Sequence, residues 1–131
     1  DRMFANCRQC HSPNFAKAEL EKGDQMIREA DRLLAEAIEI VAGLYRDKIL
    51  AKSKYYATPY PDLLAFHDAP TSIEQKLYLM FLEHRMRTFQ GTFHANPDYA
   101  LWYGWSKMVS DITEIRKLAT DLRKGKKAAK R

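Results

Sequence analysis

The chain has 131 residues, 46% apolar and 30% charged, with only five Gly and five Pro. That size suits one domain with a real core, and the composition suits long exposed helices. No apolar run approaches the roughly eighteen residues a membrane-spanning helix needs. The net charge of +5 is carried by the C-terminus: without the six basic residues from Arg123 onward, 16 basic side chains stand against 17 acidic ones. A basic stripe on a folded face, the footprint of a nucleic-acid binder, is therefore not expected.

The chain opens on Asp1-Arg2 rather than on Met and an apolar segment, so a processed product or a piece of a longer protein is expected. The first feature along it is "CRQCH", Cys7 to His11, which contains both cysteines of the chain. Four chemistries compete for it. A zinc site needs four ligands, and His67, His84 and His94 do not stand at the spacing of a compact finger. A thioredoxin-like dithiol needs a strand before it and a sheet around it. A Cys7–Cys10 disulfide would close a very small loop and leave His11 without a part. Attachment of a c-type haem uses all three residues. Two thiols at this separation add across the two porphyrin vinyl groups, and the adjacent histidine supplies the proximal iron ligand. Two cysteines and a histidine fall into this order by chance in roughly one arrangement in two thousand, which decides the choice. Residues 1–14 are thus read as a haem-attachment segment. Cys7, Cys10 and His11 bind haem c covalently, and His11 is the iron ligand. Thioether formation implies an oxidising, periplasm-like compartment.

Helical signals follow. Ser12-Pro13 reads as an N-cap and first helical residue. Ile27, Ala30, Leu34, Ala37, Val41 and Leu44 then form one seam of a long helix, with Gly23 expected to break it near its start. The stretch of about 53–70 carries three prolines and the aromatics Tyr55, Tyr56, Tyr60 and Phe66, and reads as an irregular connection lying over an apolar surface. Thr71 or Ser72 starts a second helix with the face Ile73, Leu77, Met80, His84, Arg87, Gly91 and His94. Asn96-Pro97 starts a third, with the seam Leu101, Trp105, Met108, Ile112, Ile115, Ala119 and Leu122, ending at Gly125. The predicted fold is all-α, an antiparallel bundle of three long helices over 15–124 after the haem segment, with a solvated basic tail at 125–131. Seams this long on so small a body also suit association of copies. His94 shares a face with Gly91, whose missing side chain would admit a flat ring. It is a candidate axial or site-lining histidine, with His84 and His67 behind it.

Two stretches resemble a known family. "CRQCHSPNFAKAELEKGDQMIREADRLLAEAIEIV" is similar to the last haem motif and following long helix of the hydroxylamine oxidoreductase family of octahaem c-type cytochromes, and "FHANPDYALWYGW" to that family's His-x-Asn-Pro step and Gly-Trp turn. The resemblance implies about the final quarter of such a protein, with further haems, including the catalytic one, outside this chain. It implies oxidation of hydroxylamine or hydrazine, or reduction of nitrite or hydroxylamine, at a distant haem. It also implies a homotrimer or larger assembly and a redox partner cytochrome. Oxidative members crosslink a tyrosine after the Asn-Pro step to a neighbouring subunit's catalytic haem. Tyr99 and Tyr103 lie there, but the segment is a residue shorter than in crosslinking members, which favours the reductive relatives. Against this stand a free monohaem electron carrier, whose basic tail would dock an acidic partner, and a haem-free helical module, which leaves "CRQCH" unexplained.

Overall fold

A computed structural model describes residues 2–65 and 69–129. A short helix α1 (Arg2–Cys7) precedes three long rods: α2 (Pro13–Arg46), α3 (72–93) and α4 (97–128). Ser12 caps α2, accepting from the Phe15 amide at 3.2 Å, with Pro13 in the first position. Thr71 caps α3 reciprocally with Glu74: the Glu74 amide donates to Thr71 Oγ1 at 3.4 Å, and that hydroxyl donates to Glu74 Oε2 at 2.5 Å. Asn96 caps α4, accepting from the Tyr99 amide at 3.0 Å.

The rods run up, down and up. Tyr45 near the end of α2 donates to Glu74 at the start of α3, and Arg85 reaches Asp31 at 2.7 Å, so these two helices are antiparallel. Arg116 pairs with Glu36 at 2.6 Å, and the Lys126 amine donates to the carbonyls of Asp47 and Lys48 at 2.7 and 2.6 Å, so α2 and α4 are parallel. The core between them is Leu34, Ala37, Val41 and Leu44 from α2, Ile73, Leu77 and Met80 from α3, and Met108, Ile112, Ile115 and Ala119 from α4. Tyr56 and Ala69 of the connection are buried against it, as its aromatic content leads one to expect.

Four local expectations are corrected. Gly23 does not break α2; it faces Thr92, whose Cγ2 would lie 2.8 Å from a Cβ there, so the glycine admits a close helix contact. Both other rods contain a π-helical turn, Met80–Arg85 in α3 and Ala100–Trp105 in α4. A π turn takes one more residue than an α turn and rotates everything on one side of it. In α3 the buried face therefore continues through His84 to Thr88 and Gly91, not Arg87, and His94 ends up exposed at the C-cap. In α4 the buried face within the turn is Ala100 and Gly104; Leu101 is exposed and Trp105 only partly covered. Finally, α4 does not stop at Gly125 but runs to Ala128, and Lys126 of the expected solvated tail holds the carbonyl end of α2.

The π turn of α4 packs on the segment that follows the π turn of α3, where the two helices cross most closely. A Cβ on Gly91 would stand 2.5 Å from the Ala100 main-chain nitrogen, and one on Gly104 would stand 2.6 Å from Thr88 Cα. Helix α3 ends in a Schellman turn: the Ala95 amide bonds to Thr92 O and the Asn96 amide to Gly91 O, with Ala95 at φ 52°. Asn96 thus finishes one helix and caps the next.

Candidate functional site

The cysteine pair lies where α1 ends. The turn continues through the motif: the Cys10 amide bonds to Cys7 O at 3.3 Å and the His11 amide to the same carbonyl at 3.0 Å. Four residues apart on a helical turn, Cys7 and His11 share a face. Both thiols are free, Cys10 and His11 are exposed, and Cys7 is half-buried. Two accessible thiols and an accessible imidazole on one turn fit a porphyrin held by thioethers with an axial histidine, the donor set such a group requires. No group of three or more metal-ligating side chains occurs among the described residues.

His11 is flanked by Phe15 on the first turn of α2, their ring centroids 5.0 Å apart and planes inclined by 35°. Arg8 lies over the Phe4 ring at 5.6 Å. Gly23 packs on Thr92 near the C-terminal end of α3, and at 1.5 Å per residue the ten residues before it carry the start of α2, and with it His11, roughly 15 Å further along the helix axis.

Tyr99, Tyr103 and His94 gather at that turn, apart from His11. Tyr99 and Tyr103 pack on each other with centroids 5.3 Å apart. With Asn96, Asp98 and Trp102 they line an open depression of about 610 Å³. An adjoining one of about 340 Å³ is lined by Gln90, Gly91, His94, Asn96 and Tyr99. The His94 ring meets the edge of Phe93. Around these depressions Phe89, Phe93, Leu101, Trp102 and Tyr103 are exposed, Trp102 at 71%, a concentration of uncovered apolar surface on one end of the bundle. Cys7, Cys10 and His11 lie along one turn of main chain, and Tyr99, Tyr103 and His94 line the adjoining depressions at the α3–α4 turn. His67 lies outside the described residues.

His84 belongs to neither cluster. It is buried in the π turn of α3, with Nδ1 2.5 Å from Asp111 Oδ2, and Lys76 lies 3.8 Å from the other oxygen of that carboxylate. Lys76 also pairs with Glu114 at 2.8 Å, and the hydrogen bond it donates to Glu114 raises the lysine's pKa. Sequence reading missed Asp111 because its seam was drawn through apolar residues alone; its spacing from Met108 and Ile115 places it on the same face. Phe15 was missed too, although its position four residues after His11 is a legible signal.

Residues 1–57 match a family described as "Seven times multi-haem cytochrome CxxCH". Over 90% of its length the chain is 26% identical to a protein of Kuenenia stuttgartiensis described as a probable nitrite reductase-hydroxylamine oxidoreductase fusion. The chain is thus similar to multihaem cytochromes of the CxxCH kind over its first 57 residues, and more distantly to a hydroxylamine oxidoreductase fusion protein along most of its length. It therefore carries covalently bound haem c with its iron. Its fold superposes on a chain of the reducing HAO-like protein complex of Kuenenia stuttgartiensis with a TM-score of 0.85, at 22% identity over 97% of this chain. That likeness bears out the all-α bundle. The chain spans 18% of the fusion protein and 33% of the solved chain. No described helix is long and apolar enough to cross a membrane.

Proposed function

We propose that the chain is the C-terminal electron-transfer segment of a multihaem oxidoreductase of small nitrogen compounds, working in the reductive direction on nitrite or hydroxylamine. The observation that carries this reading is the exposed turn on which the Cys7 and Cys10 thiols and the His11 imidazole stand together, in a chain related to multihaem cytochromes. Cys7 and Cys10 would hold the haem by thioethers, each thiol S–H added across one vinyl C=C with no leaving group, and His11 would supply an iron ligand. When bound, the haem accepts and releases single electrons. The chain's own part is to fix the imidazole, to hold the porphyrin edge at the two sulfurs, and to present it beyond the end of the bundle, where a neighbouring haem or partner cytochrome can approach. Substrate would be reduced at a haem outside these residues.

The exposed aromatic end of the bundle is the proposed contact between copies, in a trimer or larger assembly. Tyr99 and Tyr103 pack within it and His94 lines its inner depression, in place of a tyrosine crosslinked to haem. Assembly of the thioethers places the protein in the periplasm or an equivalent oxidising compartment.

The test is a count of haems by alkaline pyridine spectrum with an intact mass, on the native protein and on a Cys7→Ser, Cys10→Ser variant. The variant is expected to lose one covalent haem, and the native mass to show about eight per subunit. An unchanged haem count in the variant refutes the attachment. A single haem on a protein of 15.3 kDa would refute the multihaem enzyme and leave the monohaem carrier.

A further inference from the structure

The proximal histidine needs more than its own backbone to hold one orientation, and the structure contains a side chain placed to supply the rest. We infer that Phe15 is a positioning residue for the His11 imidazole and shields its flank from water; this rests on the reading of His11 as the iron ligand. The main chain on either side of His11 is already held. Its amide is bonded to Cys7 O at 3.0 Å on one side. On the other, Ser12 accepts from the Phe15 amide at 3.2 Å with its hydroxyl and from the Ala16 amide at 3.0 Å with its carbonyl. What remains free is rotation of the imidazole about its own side-chain bonds. The Phe15 ring, 5.0 Å away at 35°, blocks that rotation on one side.

Phe15 itself cannot drift, because it is the third residue of a 34-residue helix whose cap fixes its Cα. Yet the ring is 50% exposed, and Met3, one helical turn before Cys7, is 43% exposed. These two half-exposed apolar side chains flank the attachment turn. A porphyrin hung from Cys7 and Cys10 supplies an apolar surface for both. The apolar shell beside an axial histidine limits solvent access and so raises the reduction potential, while the fixed ring plane sets the ligand field of the iron.

The test compares native protein with Phe15→Ala, Phe15→Leu and, as a neighbouring exposed control, Asn14→Ala, each as the haem-loaded full chain. The measurements are a spectroelectrochemical titration and the low-spin ferric EPR spectrum, alongside haem count and far-UV circular dichroism. Phe15→Ala is expected to keep its haems and helix content, to lower the midpoint potential of one haem, and to broaden or displace one EPR signal. Phe15→Leu should recover most of the potential, because it restores cover, but not the EPR signal, because a flexible chain does not fix the imidazole plane. Asn14→Ala should match native protein. Titration and EPR unchanged in Phe15→Ala would overturn the inference, leaving Phe15 a helix-start packing residue. If the Cys7→Ser, Cys10→Ser variant keeps every haem, the haem reading fails first and this inference falls with it.

Discussion

The tight crossing of α3 and α4 makes a quantitative prediction, because the same substitution in one helix should have opposite signs at two sites. At Gly104 an added Cβ would lie 2.6 Å from Thr88 Cα and on top of Thr88 Oγ1 and its main-chain nitrogen. Carbon atoms pack at about 3.5–4.0 Å, so the two helices must part by roughly 1 Å. No rotamer change relieves this, since two of the three atoms met are backbone. Overpacking against backbone sits at the upper end of the usual 1–3 kcal/mol, and the better helix propensity of Ala returns about 1 kcal/mol, leaving a net loss of about 2 kcal/mol. Gly125 has nothing within 4 Å of an added Cβ and lies inside α4. There the propensity term acts alone, and Gly125→Ala should stabilise by up to about 1 kcal/mol. For a chain of this length each kcal/mol moves Tm by roughly 3–5 °C. Thermal unfolding followed by circular dichroism should therefore show Gly104→Ala falling by roughly 6–10 °C and Gly125→Ala rising by a few degrees. If both rise, α3 and α4 do not cross at Gly104 as described, and the account of the π turns fails with them.

Further outcomes follow from single contacts. Asp111→Leu leaves the buried His84 Nδ1 without its hydrogen-bond partner and should cost about 1–3 kcal/mol in denaturant unfolding, whereas joint replacement of His84 and Asp111 by apolar residues should cost less; equal losses would mean the two are not coupled. Ala95 occupies a left-handed conformation at φ 52°, so Ala95→Gly should raise stability by up to about 1 kcal/mol, and a clear loss would refute the Schellman turn. Lys126→Met removes the donor from two carbonyls at the end of α2 and should lower stability by about 1 kcal/mol, while Lys127→Met should change it little. Burial first, and then the hydrogen bond to Glu74, raise the Tyr45 pKa. The unfolded chain releases this proton above about pH 10 and the folded chain does not, so the tyrosine's contribution is intact below that pH and is lost above it at up to about 1.4 kcal/mol per pH unit. Unfolding measured between pH 9 and 11.5 should show a shallower alkaline decline in Tyr45→Phe than in native protein; identical slopes would put Tyr45 outside the buried pair.

What the sequence determined by itself was local and chemical. Caps at Ser12, Thr71 and Asn96 act over three residues, and the helical period of α2 from Ala30 to Leu44 depends only on the spacing of apolar side chains along one continuous rod. The "CRQCH" chemistry is equally local, because two thiols and an imidazole on one turn need no other part of the fold to suggest their ligand. Tertiary structure decided which faces were buried wherever two rods had to come close. Gly91 meets Ala100 and Gly104 meets Thr88, and each of these helices takes up an extra residue in a π turn beside the crossing. The turn rotates the face by one position, which carries burial from Arg87 to Thr88 and from Leu101 to Ala100, and leaves His94 in solvent. A periodicity drawn at a constant 3.6 residues cannot show that rotation, because its cause is the closeness of the other helix. Lys126 likewise reads as part of a solvated tail until the helices are assembled and it meets the carbonyl end of α2, whereas Asp111 shares the spacing of Met108 and Ile115 and needs only a seam that admits a polar residue.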